Sequence, residues 1–156
     1  MLEVGDKAPD FTAQLDDGSS VKLGKLKGGI VVLYFYPKDD TSGCTSEAKD
    51  FTALASEFAA AGVRVIGISP DSVAQHVKFK AKHGLEVALA ADVERSIVEG
   101  YGVWVEKSMY GRKYMGVERT TFLIDAKGRI ARIWPKVKVP GHAAAVLAAV
   151  KELGKA

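Results

Sequence analysis

Hydrophobic residues recur along this chain in two rhythms. Residues 30–36 (Ile-Val-Val-Leu-Tyr-Phe-Tyr) are apolar at successive positions, the pattern of a strand covered on both faces. Ala48, Phe51, Leu54, Ala55, Phe58 and Ala59 then recur every three or four residues, as one face of a helix, with Gly62 in the stop position beyond it. Residues 63–68 predict a second central strand, joined to the first by a right-handed crossover and parallel to it. Ser69 or Asp71 can cap a following helix that runs to about His83 and is closed by Gly84. A short strand over 87–90 and a short helix over 93–99, ended by Gly100 and Gly102, come next.

The outer parts are read from their turns. Residues 11–15 and 21–23 flank Asp16-Asp17-Gly18 and predict a small N-terminal hairpin. Residues 119–124 and 129–134 flank Asp125-Ala126-Lys127-Gly128, a second hairpin. Between the glycines and that hairpin, residues 103–116 have no clear period and are expected to form a loop or irregular strand. Pro140-Gly141-His142 opens a last helix of Ala, Val and Leu that ends near Leu153. Without a repeat or linker, residues 1–156 are expected to form one domain. Its class is α/β, a mixed central sheet with helices on both faces.

Composition narrows the function classes. The net charge of +3 is spread along the chain without a dense basic block, so nucleic-acid binding gains little support. Met1-Leu2-Glu3-Val4-Gly5-Asp6 lacks the basic start and apolar core of a signal peptide, and no apolar run reaches the ~18 residues of a membrane span. A cytoplasmic protein without membrane or nucleic-acid partners is therefore expected. His76, His83 and His142 match no metal-ligand spacing, so neither metal nor cofactor is expected, and each histidine reads as structural or solvated.

The chemistry concentrates on Cys44, the one cysteine of the chain. A free cysteine is most often an inert apolar residue. Here it follows the first central strand at the start of a helix, where free backbone N–H groups and the helix dipole favour a thiolate, the reactive form of the thiol. Its neighbours Thr41, Ser42, Gly43 and Thr45 suggest a polar, partly open setting. Thr41 or Ser42 can cap the helix, and Gly43 lets another molecule approach the backbone. Asp39 and Asp40 read as turn residues that point away from the thiol, because carboxylates beside it would oppose its ionisation.

Pro37, Thr41 and Cys44 match the Pro-x-x-x-Thr-x-x-Cys motif of peroxiredoxins, thiol-dependent peroxidases with a thioredoxin-like fold. Tyr36-Pro37-Lys38-Asp39-Asp40-Thr41, Tyr101-Gly102-Val103-Trp104, Tyr110-Gly111 and Arg119-Thr120-Thr121-Phe122-Leu123-Ile124-Asp125 all resemble the bacterioferritin comigratory protein, or peroxiredoxin Q, subfamily. So does the opening Gly5-Asp6-Lys7-Ala8-Pro9-Asp10-Phe11. The resemblance covers essentially the whole chain. It implies that Cys44 is the peroxidatic nucleophile, that Thr41 and Arg119 hold peroxide and thiolate, and that Pro37 shields the pocket. The N–H groups of Gly43 and Cys44 are suited to the oxygen on which charge builds. Glu47 either joins the hydrogen-bond network of the site or caps the helix at the surface.

Magnitudes rank these contributions. Full ionisation of a thiol with an ordinary pKa of about 8.5 raises the thiolate fraction at pH 7 only ~30-fold, and nucleophilicity falls as it does so. Two placed donors contribute ~100-fold or more each. The pocket therefore outweighs the ionisation.

The chain departs from the subfamily at two positions. Many members carry a resolving cysteine five residues after the first, where this chain has Lys49, so no internal disulfide can form. The sulfenic acid must then be reduced by an outside thiol, from thioredoxin, glutaredoxin or a small molecule. Ser42 stands where a proline is common, with a small loss of preorganisation. The implied activity is reduction of hydrogen peroxide and organic hydroperoxides by a monomer. A peroxide sensor passing oxidation to a partner by mixed disulfide is the alternative. A cysteine hydrolase would need a histidine base beside Cys44, and none is near in sequence. Trp104, Met109 and Tyr110 either wall the site or fill the edge of the core.

Overall fold

The apolar run becomes β3 (Ile30–Phe35), an interior strand of the sheet in the computed structural model, which describes residues 1–155. β4 (Val63–Ser69) pairs parallel to it on one side and β8 (Thr120–Ile124) antiparallel on the other. β5 (Ala88–Ala91) extends the parallel part beyond β4, β1 (Thr12–Leu15) and β2 (Ser20–Lys22) add antiparallel strands at that end, and β9 (Ile130–Trp134) closes the far end. The order across the seven strands is β2-β1-β5-β4-β3-β8-β9.

Alternation along β3 divides the core. Val31, Leu33 and Phe35 face a layer with Ile66, Ile68, Phe122 and Ile124, covered by the 3-10 turn Leu23–Leu26 and by α4 (Ser96–Gly100). Val32 and Tyr34 face the other layer, covered by α1 (Ser42–Ala53), α2 (Ala55–Ala60), α3 (Val73–His83) and α5 (His142–Gly154). Cys44 belongs to this second layer. The expected α/β class, with a mixed sheet and helices on both faces, is what the chain adopts.

Four local expectations change. The apolar face from Ala48 to Ala59 is carried by two helices, because the chain leaves helical geometry at Leu54 (φ −102°, ψ 7°); Phe51 and Phe58 remain in one layer, so the period survives the break. α3 is capped by Ser72 in a reciprocal capping box with Gln75, while Ser69 and Asp71 bond elsewhere. α4 starts only at Ser96, after Arg95 adopts a left-handed φ of 65° and Asp92 accepts from the N–H groups of Ile97 and Val98. Residues 103–116 hold a regular hairpin, β6 (Trp104–Met109) against β7 (Arg112–Val117), turning at Tyr110-Gly111, both with positive φ (53° and 78°). Its strands are largely exposed on both sides and show no apolar alternation, which hid them from the pattern. Among the described residues no helix is long and apolar enough to cross a membrane.

One contact in the second layer carries a stability prediction. Tyr34 lies opposite Gly67 in the parallel register, and a Cβ at Gly67 would sit 2.5 Å from its ring. The ring is fully buried and stacked on Phe51 at 4.6 Å, so it cannot yield cheaply. Gly67→Ala is expected to cost about 1–3 kcal/mol by urea denaturation; parental stability would show that the ring can move.

Candidate active site

The loop that leaves β3 is tied down residue by residue. The Tyr36 N–H donates to Ile68 O at 3.1 Å, and the Asp39 N–H to Asp71 Oδ2 at 2.8 Å. Asp40 adopts a left-handed φ of 63°, and its carboxylate meets Lys82 and His83 at the end of α3, each at 2.7 Å. Hydrogen bonds from His83 and then Lys82 hold that carboxyl below its ordinary range. Thr41 is the N-cap of α1 in extended geometry (φ −87°, ψ 157°), and its carbonyl accepts from Thr45 N–H at 2.9 Å. Neither Thr41 nor Ser42 caps with its side chain, contrary to expectation. The Thr41 hydroxyl donates instead to Lys38 O at 2.8 Å, and its own lone pairs stay free to accept.

Cys44 is the third residue of α1 and exposes only 1% of its surface, so the open setting suggested by its neighbours is not found. Arg119 encloses it. This residue lies between β7 and β8, with its backbone fixed by the Val137 N–H on its carbonyl at 2.8 Å. The guanidinium forks: Nη2 donates to Cys44 Sγ at 3.3 Å and Nη1 to Glu47 Oε1 at 2.7 Å. A Cβ on Gly43 would stand 3.1 Å from Nη2, so glycine there gives Arg119 its room.

Glu47 is buried, not a surface cap. Burial pushes its carboxyl up to about 7 against the opposing pull of Arg119. Its second oxygen, Oε2, finds no partner among the described residues, which suits a proton resting there near neutral pH. Burial works against the Arg119 charge, but Glu47 and then the Cys44 sulfur outweigh it and hold the guanidinium more firmly protonated than usual. The site is thus a cation clamped between a buried carboxyl and a sulfur.

The structure therefore groups Gly43, Cys44, Glu47 and Arg119 directly and sets Thr41 one turn before Cys44. Pro37 is half-buried just beyond β3. Lys49 is exposed, and Met109 and Tyr110 point to solvent at the tip of the hairpin. Trp104 packs at the edge of the first layer under Arg95. The histidines have partners away from the sulfur: His76 with Asp39 and Ala90 O, His83 with Asp40, His142 with Thr121. Burial, helped by the Arg119 charge, pushes His142 down to about 4, leaving it neutral at pH 7. A cysteine hydrolase would have no base in place.

Two features escaped the sequence. Lys107 on β6 lies near enough to feel both Arg119 and Cys44; burial first and Arg119 next push its amine below the ordinary lysine range. Asp39 is a turn residue, as expected, but a buried one. Asp39, Asp71 and His76 bring three ligand-type atoms within 4.8 Å of one another, but each already bonds within the protein. A cavity of about 80 Å³ beside Leu23, Val31 and Ile124 lies in the other layer, away from Cys44.

Comparison with known proteins decides what this thiol site belongs to. Residues 4–133 match the AhpC/TSA family. A Bacillus subtilis protein, peroxiredoxin Bcp, is 47% identical over 154 residues, spanning 99% of this chain and 98% of its own. The chain is a peroxiredoxin of the AhpC/TSA family. Peroxiredoxin Bcp of Xanthomonas campestris is 43% identical over 155 residues, covering 99% of this chain and 97% of that one. A solved structure of the bacterioferritin comigratory protein from the same organism, described with its alkyl peroxide reduction activity, superposes with a TM-score of 0.90 at 42% identity, covering 98% of both chains. This peroxiredoxin is accordingly a thiol-dependent peroxidase with a thioredoxin-like fold.

Proposed function

We propose that Cys44 is the peroxidatic nucleophile of a one-cysteine peroxidase acting on hydrogen peroxide and organic hydroperoxides. The observation that carries this reading is the Arg119 fork, which holds the sulfur at 3.3 Å and is itself held by Glu47. The thiolate attacks one peroxide oxygen, an S–O bond forms as the O–O bond breaks, and the second oxygen leaves with a proton as water or alcohol. Arg119 and the N–H groups of Gly43 and Cys44 meet the charge that builds on these oxygens. Thr41 accepts from the peroxide, and Pro37 shields the pocket. The alkyl peroxide reduction described for the Xanthomonas relative supports organic hydroperoxides as substrates.

The cycle closes outside the chain. Cys44 is the single cysteine and Lys49 occupies the position of a resolving thiol, so an external thiol condenses with the sulfenic acid, releasing water, and a second thiol frees Cys44. Thioredoxin, glutaredoxin and small thiols all have the required chemistry. The working unit is taken as a cytoplasmic monomer of one domain. Peroxide consumption should continue over many turnovers with one of these donors; a single stoichiometric burst with every donor would replace the enzyme with a sensor.

Thr41→Val keeps the shape but loses the hydroxyl. Because that hydroxyl already donates to Lys38 O, what is lost toward peroxide is its acceptor. Stopped-flow measurement of Cys44 oxidation should be slowed about 100-fold, with native circular dichroism. An unchanged rate would remove Thr41 from the mechanism.

A further inference from the structure

We propose that Asp39 and His76 are positioning residues, a buried carboxylate–imidazole pair that fixes the loop over residues 37–41 and thereby the placement of Thr41 and the first turn of α1. The inference rests on the peroxidase reading of Cys44. It begins with an unusual concentration of buried polar groups one turn of chain before the site. Asp39 Oδ1 accepts from the Tyr36 hydroxyl at 2.6 Å, Oδ2 lies 2.6 Å from His76 Nδ1, and the Asp39 N–H reaches Asp71 Oδ2 at 2.8 Å. That same Asp71 oxygen accepts from Ser69 Oγ at 2.6 Å, and His76 Nε2 lies 3.0 Å from Ala90 O. His76 exposes 0% of its surface, and Asp71 and Asp39 are buried with it.

The proton count follows from these partners. A carbonyl oxygen only accepts, so Nε2 must carry a hydrogen and donate it to Ala90. The 2.6 Å approach of Nδ1 to a carboxylate then requires one more proton between the two, because neither lone pair can face the other at that distance. The pair therefore holds one shared proton within a charge-assisted hydrogen bond. It joins three parts of the fold to the loop: the residue just after β3 through Tyr36, β5 through Ala90, and α3 through His76 itself. The segment after β4 adds Asp71.

Such anchoring has a use here. Asp40, next in the chain, is in the left-handed region, which aspartate tolerates better than most side chains but still at a cost that its surroundings offset. Lys82 and His83 hold it from outside, at an exposed site, while Asp39 holds the loop from within. The following residue is Thr41, whose carbonyl receives the first hydrogen bond of α1. An error of about 1 Å in this loop would displace the peroxide acceptor and both backbone donors, a misplacement that costs ~100-fold in well-positioned active sites.

The variants separate position from charge. Asp39→Asn can still accept from Tyr36 and can donate its amide N–H to a neutral His76 Nδ1, so it keeps the anchors without the charge. Asp39→Ala leaves the Tyr36 hydroxyl and His76 Nδ1 with only each other, 3.5 Å apart, while Nε2 keeps Ala90 O. Stopped-flow oxidation of Cys44 by hydrogen peroxide should fall about 30-fold or more in Asp39→Ala and stay within about threefold of the parent in Asp39→Asn. The reduction of preformed sulfenic acid by dithiothreitol should change little in either. A far-downfield imidazole proton resonance, present in the parent, should vanish in Asp39→Asn while the activity remains. Should Asp39→Ala not fold, Tyr36→Phe removes a single anchor and should slow the peroxide step about threefold to tenfold. Asn as slow as Ala, or a parental peroxide rate in Ala (or in Tyr36→Phe if Ala is unfolded), overturns the positioning role. Failure of the parent to turn over with any thiol would instead overturn the peroxidase reading, leaving these comparisons of the first oxidation intact.

Discussion

Arg119→Met should react with hydrogen peroxide about 1,000-fold more slowly than the parent, the largest loss expected of any residue other than Cys44 itself. Two contributions combine. The variant loses the Nη2–H that contacts Sγ at 3.3 Å, and with it a fixed positive charge where the leaving oxygen becomes negative. A single such donor is worth ~100- to 1,000-fold in a buried site. It also leaves Glu47 buried without its cation. Arg119 pulls Glu47 toward ionisation, so its removal drives that carboxyl to the neutral acid and spares the fold an unpaired charge. Stopped-flow peroxide consumption and ultraviolet titration of the thiol, run on the same preparations, test the argument together. The rate loss should exceed any loss of thiolate, which has a ceiling of about 30-fold for an ordinary thiol at pH 7. Equal losses would mean that Arg119 acts only by ionising the sulfur. Arg119→Lys keeps charge without the fork and should fall between the two.

The second expectation concerns Glu47 and pH. Its folded value of about 7 stands above the ordinary 4.5, so the folded chain holds this proton more tightly than the unfolded chain does. The carboxyl's contribution to stability is then fully present below pH 4.5 and is lost as pH rises through about 7. A shift of this size corresponds to roughly 3 kcal/mol. Glu47→Gln removes the titration and keeps an oxygen to accept from Arg119. Urea denaturation of both proteins at several pH values isolates the effect, since other groups cancel in the difference. Relative to Glu47→Gln, the parent should lose stability by up to roughly 3 kcal/mol between pH 4.5 and 8. A difference that is flat over this range would show that Glu47 stays ionised throughout.

What the sequence disclosed, and what it did not, divides by distance along the chain. The strand at Ile30–Phe35 and the helix start at Ser42 are local patterns, and both were legible. Arg119 is 75 residues from Cys44, and nothing local to it marks a partner. Its place in the site came from the family resemblance, and the pairing of β8 against β3 is the physical reason for it. The burial of Cys44 was misjudged because exposed Thr41 and Ser42 describe the chain on one side, whereas Arg119 and the second core layer close it from another. Asp39 does sit in a turn, as expected, but its burial was not legible, because its partners Asp71 and His76 lie 32 and 37 residues on. The hairpin at Trp104–Val117 failed for another cause: strands exposed along most of their length leave no period to read.

A cysteine that exposes 1% of its surface also sorts its reactants by size. Two bonded oxygens can reach Sγ by displacing little. A folded reductant brings a broad surface with its thiol, so with such a donor Arg119 or the first turn of α1 would have to give way. With a protein donor, oxidation and repair would ask for different shapes of the same residues. The closed shape suits a small oxidant, and a large partner would ask the chain to relinquish it once per cycle, whereas a small thiol asks for less.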